Sequence, residues 1–452
     1  MQKLSIIGGG LAGCEAAWQA ANQGAQVVLY EMRPTRQTKV HQTGDLAELV
    51  CSNSLKSNLL DKASGLLKWE MRQLDSLLIR CADESAVNAG SALAVDRIKF
   101  AQLITQRLEA HPNIEIRREE VTHIPDAPCI VASGPLTSES LAADINRVLD
   151  GEFLNFFDAV APIVDADSLD YETLFLASRY EKGEAAYWNA ALSEEKYDEL
   201  REAILGAELA ESHNEEDVPY FESCLPIEEL ARRGRLTMRY GALRGVGLTD
   251  PKTGRWPFAC VQLRSENVEN TMYNLVGFQT RLKWPEQTRI LRLIPGLQNV
   301  EIVRFGVIHK NIFINSPQVL RSTFQSKTRD DLFFAGQLTG VEGYVESAAA
   351  GLMAGINAGR VLDGRKALTF PRETVLGSLS HYITQADAKH FQPMNSNWAL
   401  LPPPESWSDT MPNGKKRKVS KEQKAEFFVA SSQETLQSFV EQNDLQHQSA
   451  AI

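Results

Sequence analysis

The stretch LSIIGGGLAGCEAAWQAANQG, residues 4–24, constrains the fold more than any other part of the chain. A short apolar run of the kind that fills a buried parallel strand meets glycines, then an Ala-rich segment of helical character. Gly24 is placed to end that helix. AQVVLYEM, residues 25–32, reads as the next strand, so the chain opens with a strand–helix–strand unit. Gly8, Gly10 and Gly13 form G-x-G-x-x-G, with an extra glycine at Gly9. In this context glycine permits the tight turn and lets backbone approach a pyrophosphate, and the helix start offers free N–H groups. The motif assigns Gly8, Gly9, Gly10, Leu11, Ala12 and Gly13 to a dinucleotide site. Glu31, at the end of the second strand, suits the adenosine ribose. A glycine turn with no ligand is the competing explanation. Cys14, inside the helix, reads as a small buried residue.

Further along, ALAV precedes Asp96, a plausible N-cap, and the pattern predicts a helix near Arg97–Ala110. IEIRREEV alternates as a strand, and CIVAS is another buried strand running into Gly134-Pro135. The βα rhythm is lost from about residue 150 to 325 and returns at DDLFFAG, Asp330–Gly336. LFFAGQLTGVEGYVESAAAGLMAG then repeats the strand-to-helix theme from the far end of the chain, which suits a long cofactor such as FAD. Gly336, Gln337, Gly340 and Gly343 are the candidates to let backbone approach the flavin and its phosphates; a tightly packed Gly/Ala helix is the alternative. The expected fold is α/β, a glutathione-reductase-like, Rossmann-type FAD-binding domain (residues 1–150 and 326–400) with an inserted α+β domain (151–325) for substrate. Residues 401–452 read as a tail with a terminal helix in AEFFVASSQETLQSFVEQ.

At 452 residues, 43% hydrophobic and 23% charged, the chain has the make-up of a soluble globular protein of two or three units. It has no apolar run near the roughly 20 residues of a membrane span. The first residues lack the apolar core of a signal peptide, so a cytoplasmic location is expected. Six cysteines (14, 51, 81, 129, 224 and 260) show no paired ligand spacing, which argues for free thiols and against a metal centre. The formal charge is −11, yet Cys224–Arg264 carries eight basic residues against three acidic ones. Glu194–Asp217 is strongly acidic. Either these are two solvated faces, or Arg232, Arg235 and Arg239 belong to a basic surface on an acidic protein. LVCSNSLKSN, residues 49–58, sets Cys51 among polar residues, where it could pack, bind metal or react.

GGGLAGCEAAW, LVCSNSLKSN, PYFESCLPIEELARRG, YNLVGFQTRLKWPEQ, RLIPGL, HKNIFINSP and DDLFFAGQLTGVEGYVESAAAGL together resemble the folate- and FAD-dependent tRNA (uracil-5-)-methyltransferase family TrmFO. The resemblance runs to about residue 365. It implies formation of 5-methyluridine at position 54 of the tRNA T-loop, with carbon from 5,10-methylenetetrahydrofolate and reducing equivalents from NADPH or NADH through FAD. It also marks Cys51 and Cys224 as the two functional cysteines. A thiolate adding to uracil C6 makes C5 nucleophilic; Cys224 is favoured for that role and Cys51 as the flavin-side thiol or proton acceptor. Lys56 is a candidate to lower the pKa of Cys51, and Arg232 or Arg239 that of Cys224. His309 is a candidate folate or flavin contact. Alternatives from other classes are the same chemistry on ribosomal RNA, a non-catalytic flavin-bearing RNA-binding protein, and a flavin oxidoreductase that uses no RNA.

Overall fold

The computed structural model describes residues 3–38, 40–150, 154–159, 161–181, 184–210, 225–267, 270–306, 308–404, 407 and 419–445, with backbone alone at 154–159 and 308–310. Its centre is a five-stranded sheet in the order Leu332–Phe334, Cys129–Val131, Leu4–Ile7, Val27–Tyr30, Ile114–Arg117. Every pairing in it is parallel. Four of the strands lie on the N-terminal side of residue 150 and the fifth returns from beyond residue 325, as the broken rhythm predicts. The three central strands are almost wholly buried, which is why they read as apolar runs.

The helix after the first strand, Leu11–Asn22, crosses the long helix Tyr344–Leu362 at backbone contact. A Cβ at Gly351 would lie 2.1 Å from the Ala12 carbonyl oxygen, and one at Gly355 would lie 2.5 Å from that of Ala16. Much of the Gly/Ala bias of the second helix is therefore a packing requirement. Asp96 caps Arg97–Ala110 as expected, accepting from the Ile98 and Lys99 amides at 3.0 Å. ALAV is not in the central sheet. It is the middle strand of a separate antiparallel sheet, between Ser54–Ser57 and Ala86–Val87.

The middle of the chain builds a six-stranded antiparallel sheet in the order Phe175–Ala177, Tyr187–Leu192, Ala259–Ser265, Met272–Val276, Ile163–Asp165, Ile302–Arg304. It has its own core, in which Leu200, Ile227, Leu263 and Ile290 are fully buried. Near the return to the central sheet, Leu154–Ala159 pairs antiparallel with Ile308–Phe313. The helix Lys421–Gln442 starts in a capping box at Ser420 and Gln423, and it lays Phe428, Leu436 and Val440 into the main core. Its Ser432 hydroxyl donates to Glu70 at 2.7 Å, and the same carboxylate accepts the Val375 and Leu376 amides. No helix among the described residues is long and apolar enough to cross a membrane.

Candidate active site at the dinucleotide cleft

The glycine turn sits at the carboxyl end of the first strand, on the wall of a cleft. The cleft encloses about 1050 Å³ of space outside protein atoms, part of it open to solvent. Gly8–Ala12, Glu31, Ser133–Thr137, Gly336, Gln337 and Tyr344 line it. The glycines of the motif have different reasons to be glycine. A Cβ on Gly13 would lie 1.8 Å from the Gly8 carbonyl oxygen, and one on Gly9 would run into Leu46 and Glu31. Gly8, at φ +110°, is closed in by Ala132. Gly10 is the exception, because a Cβ there would meet nothing within 4 Å. Its restriction comes from the cleft and not from the chain. The helix that begins after Gly10 has neither a side-chain cap nor an acid in its first turn, so its leading N–H groups are not satisfied by side chains. An uncapped helix end beside a bare Gly10 fits the pyrophosphate of a dinucleotide such as FAD.

Glu31 is buried and ionised. Burial opposes its charge, but the Arg33 hydrogen bonds and guanidinium outweigh burial and hold the carboxyl below its ordinary value. Its Oε2 accepts the Gly9 amide at 3.0 Å, and its Oε1 accepts the Arg33 side chain at 2.9 Å. Arg33 also reaches Glu48 at 3.0 Å. The Arg33 amide donates to Oε1 as well, at 2.9 Å; a carboxylate has about four acceptor sites, so one remains for a ribose hydroxyl. His41, on the same wall, is held neutral near neutrality: burial and the Arg33 charge push it down to about 4.

Cys51 follows Val50, a wall residue, and its amide donates to the Tyr344 hydroxyl at 2.6 Å. The other described cysteines are buried, and burial pushes their thiols up: Cys81 to about 11, Cys129 and Cys260 to about 12, and Cys14 further still. Cys51 is only half-buried. Lys56, the sequence candidate to lower its pKa, pairs with the buried Glu346 at 2.7 Å. Two arginines also approach the Cys51 loop. Arg304 donates to the Val50 carbonyl at 2.7 Å, and Arg97 donates to the Leu49 and Cys51 carbonyls at 3.0 and 3.4 Å. Burial and the Arg97 charge lower the Arg304 pKa, while Tyr344, Cys51 and Glu48 pull it up, so the thiol lies within electrostatic reach of a guanidinium.

The inserted sheet reaches this loop directly. Arg264 donates to Asn53 at 2.9 Å and to Ser52 at 2.6 Å, and Asn53 donates to the Ser265 carbonyl at 2.8 Å. Glu266 pairs with Arg97 at 2.7 Å. Arg264 is thus a buried structural arginine and not part of a basic face. Arg232 pairs with Glu229 and Arg235 with Glu194 and Asp198, so the acidic and basic stretches partly neutralise one another. Arg239 forms no such pair among the described residues; it packs on Phe258 and Tyr240. Gly340 and Gly343 do not line the cleft. Both have positive φ, and Gly340 backs onto Phe391 while Gly343 backs onto Glu346 and Lys56. His309 pairs with Asp158 across the two-stranded ribbon. Cys224 lies outside the described residues.

Sequence reasoning missed Arg33, His41, Ser133, Thr137, Tyr344, Arg97 and Arg304. Thr137 follows a Gly-Pro turn after a buried strand, which was a usable signal. Arg97 and Arg304 had none, because their partners are distant in sequence.

The sequence model of the family described as Glucose inhibited division protein A matches residues 3–366. A methylenetetrahydrofolate–tRNA-(uracil-5-)-methyltransferase TrmFO of an Exiguobacterium species is 53% identical over 438 residues, covering 97% of this chain and 99% of that one. The protein of the same name from Bacillus subtilis is 56% identical over 400 residues, covering 88% and 92%. Among solved structures, Aquifex aeolicus GidA superposes with a TM-score of 0.65 at 18% identity, covering 85% of this chain and 67% of that one, a likeness of fold. With half its residues shared over nearly the full length of these relatives, the chain belongs to the TrmFO group of the GidA family.

Proposed function

We propose that this protein is a methylenetetrahydrofolate- and FAD-dependent tRNA (uracil-5-)-methyltransferase that forms 5-methyluridine at position 54 of the T-loop, with NAD(P)H as reductant. The observation that carries the reading is the Cys51 loop: a half-buried thiol within reach of Arg304, hydrogen-bonded through its amide to Tyr344 on the wall of a cleft built for a dinucleotide. The near-full-length relatives supply the reaction class.

Bound in the cleft, FAD supplies the redox step that takes the transferred carbon from the methylene to the methyl level with electrons from NAD(P)H. Gly10 and the uncapped helix end would hold its pyrophosphate, and Glu31 its ribose. Uracil C5 is a weak nucleophile until a thiolate adds to C6 and pushes electron density onto C5. Cys224 is assigned that addition. C5 then bonds to the one-carbon unit, a base removes the C5 proton, the carbon's bond to its carrier nitrogen breaks with the electron pair going to that nitrogen, and hydride added to the resulting exocyclic methylene completes the methyl group as the thiolate leaves C6. Cys51 is assigned the flavin side, as the thiol or proton acceptor there, and Arg304 favours its thiolate.

The test is incubation of the purified protein with unmodified tRNA, methylenetetrahydrofolate and NADPH or NADH, followed by nucleoside analysis and mapping of the modified position. Methyl transfer to position 54 that requires folate is the expected result. Dependence on S-adenosylmethionine, or absence of 5-methyluridine in a flavin-loaded preparation, would overturn the assignment.

A further inference from the structure

The inserted unit displays large aromatics that its core does not use. Tyr240 is 64% exposed and Trp256 55%. Both line a pocket of about 740 Å³ of space outside protein atoms, part of it open, together with Arg239, Gly245 and Phe258. Arg239 is fixed within it. Its guanidinium lies 4.1 Å from the Phe258 ring centroid and 5.1 Å from that of Tyr240. Its Nε donates to the Phe258 carbonyl at 2.9 Å and its Nη1 to the Tyr240 hydroxyl at 3.2 Å. Phe258 is supported edge-on by the buried Tyr197, with centroids 5.3 Å apart. Arg239 and Phe258, on the pocket wall, are therefore already held in place by packing.

The surrounding charge is positive. Arg244 and Arg255 are exposed; Arg255 directly precedes Trp256, and Arg244 bridges Ala259, the residue after Phe258. Among the described residues neither they nor Arg239 forms an ion pair, in contrast to Arg232 and Arg235. The nearest acid in sequence, Asp250, is buried and accepts the Lys252 amide. On a chain of net charge −11, three unneutralised guanidiniums beside two exposed aromatic faces are a distinct local chemistry. Aromatic planes accept any nucleobase, guanidinium planes stack as well as bind phosphate, and cations track the backbone; this is how unpaired nucleic acid is gripped.

We infer that the Arg239–Tyr240–Trp256 pocket binds an unpaired base of the RNA substrate by stacking on Tyr240 and Trp256, with Arg244 and Arg255 contacting the flanking phosphates. The inference rests on the reading of RNA as substrate and adds a second point of RNA contact, separate from the thiols. It also shifts the basic-surface expectation away from Arg232 and Arg235, whose charges are already matched.

The experiment is binding of an unmodified tRNA transcript to the FAD-loaded, full-length protein over a range of salt concentrations. Trp256→Ala and Tyr240→Ala are each expected to raise Kd by about 5- to 100-fold with an unchanged salt slope, as loss of stacking does. Trp256→Phe keeps a ring and is expected to restore most of the affinity. Arg244→Ala and Arg255→Ala are expected to flatten the salt slope by about one phosphate contact each. Flavin content and thermal unfolding are expected to stay at wild-type values, because these side chains are exposed. Methylation assays on the aromatic variants are expected to show a raised KM and a kcat close to wild type. Alanine variants that bind tRNA with wild-type affinity and slope would overturn the inference, as would a patch that captures protein but not RNA; 5-methyluridine formed by those same preparations would leave the proposed activity standing. Wild-type protein that binds tRNA without modifying it would overturn the activity, and the stacking inference would then be decided by the binding data alone.

Discussion

Gly10 and Gly13 stand three residues apart in one motif, yet substitution is expected to separate them. Gly10 has φ −78° and ψ −171°, an extended conformation open to any residue, and its missing Cβ faces the cleft. Gly10→Val is expected to fold with near-wild-type thermal unfolding and to purify without flavin, read from its absorbance. Gly13→Ala sets a Cβ against backbone and is expected to lose about 1–3 kcal/mol or more, seen as a lower unfolding temperature and poor soluble yield. The cysteines divide in a similar way. Cys51→Ala and Cys224→Ala are expected to keep FAD and form little or no 5-methyluridine, whereas Cys81→Ala, which removes a buried thiol of raised pKa, is expected to keep its activity. Transfer RNA carrying 5-fluorouridine at the target cannot release its C5 substituent as a proton. It is expected to trap a covalent adduct that peptide mapping places on Cys224, and an adduct on Cys51 would reverse the two roles. At this scale the sequence was partly legible. A thiol among Ser and Asn announces itself, and so does a glycine motif. The guanidiniums around the Cys51 loop do not, because Arg97 and Arg304 meet it only after the chain has folded back from 46 and 253 positions away.

Elements with a period or a cap were readable, and the terminal helix, the Asp96-capped helix and all five parallel strands lie where their patterns put them. The small sheet around ALAV was not, because its neighbours Ser54–Ser57, polar at three of four positions, and Ala86–Val87, only two residues long, lack the apolar runs that mark most of the parallel strands. Nor could composition tell which glycines of Tyr344–Leu362 serve the helix crossing. Contact geometry does, and it yields a paired test. A Cβ at Gly351 would meet the Ala12 backbone at 2.1 Å, but one at Gly359 would meet only the Gln23 side chain at 3.3 Å. Gly351→Ala is expected to cost about 1–3 kcal/mol by prying two helices apart. Gly359→Ala is expected to cost less, since its Cβ would meet a side chain at 3.3 Å and not backbone, and alanine favours the helix. Thermal unfolding of the two single variants compares them directly.

For the molecule as a whole, Glu70 joins three regions through one buried carboxylate: its own helix Ala63–Gln73, the start of Val375–Gln385 and the terminal helix at Ser432. Burial pushes this carboxyl up to about 7, against hydrogen bonds that favour its charge. The native state therefore holds the proton more tightly than the unfolded chain, where the group titrates near 4.5. Its contribution to stability is full below that value and is lost as pH rises through about 7. Glu70→Gln cannot ionise, so its unfolding temperature is expected to gain on the wild type between about pH 5 and pH 8; a constant difference across that range would show that Glu70 stays charged throughout. The net charge gave no hint of this arrangement, just as it gave none of how the basic stretch would be divided between ion pairs, a buried arginine and an open patch. The strand Ala259–Ser265 ties that division together. It starts beside Phe258 at the aromatic pocket and ends at Arg264 and Ser265, which grip Ser52 and Asn53 next to Cys51. Seven residues at about 3.3 Å each make it a ruler roughly 20 Å long. A substrate held at both ends would be measured before it is modified, and the choice of uridine would then depend on its distance from a second, unpaired base as well as on its own identity.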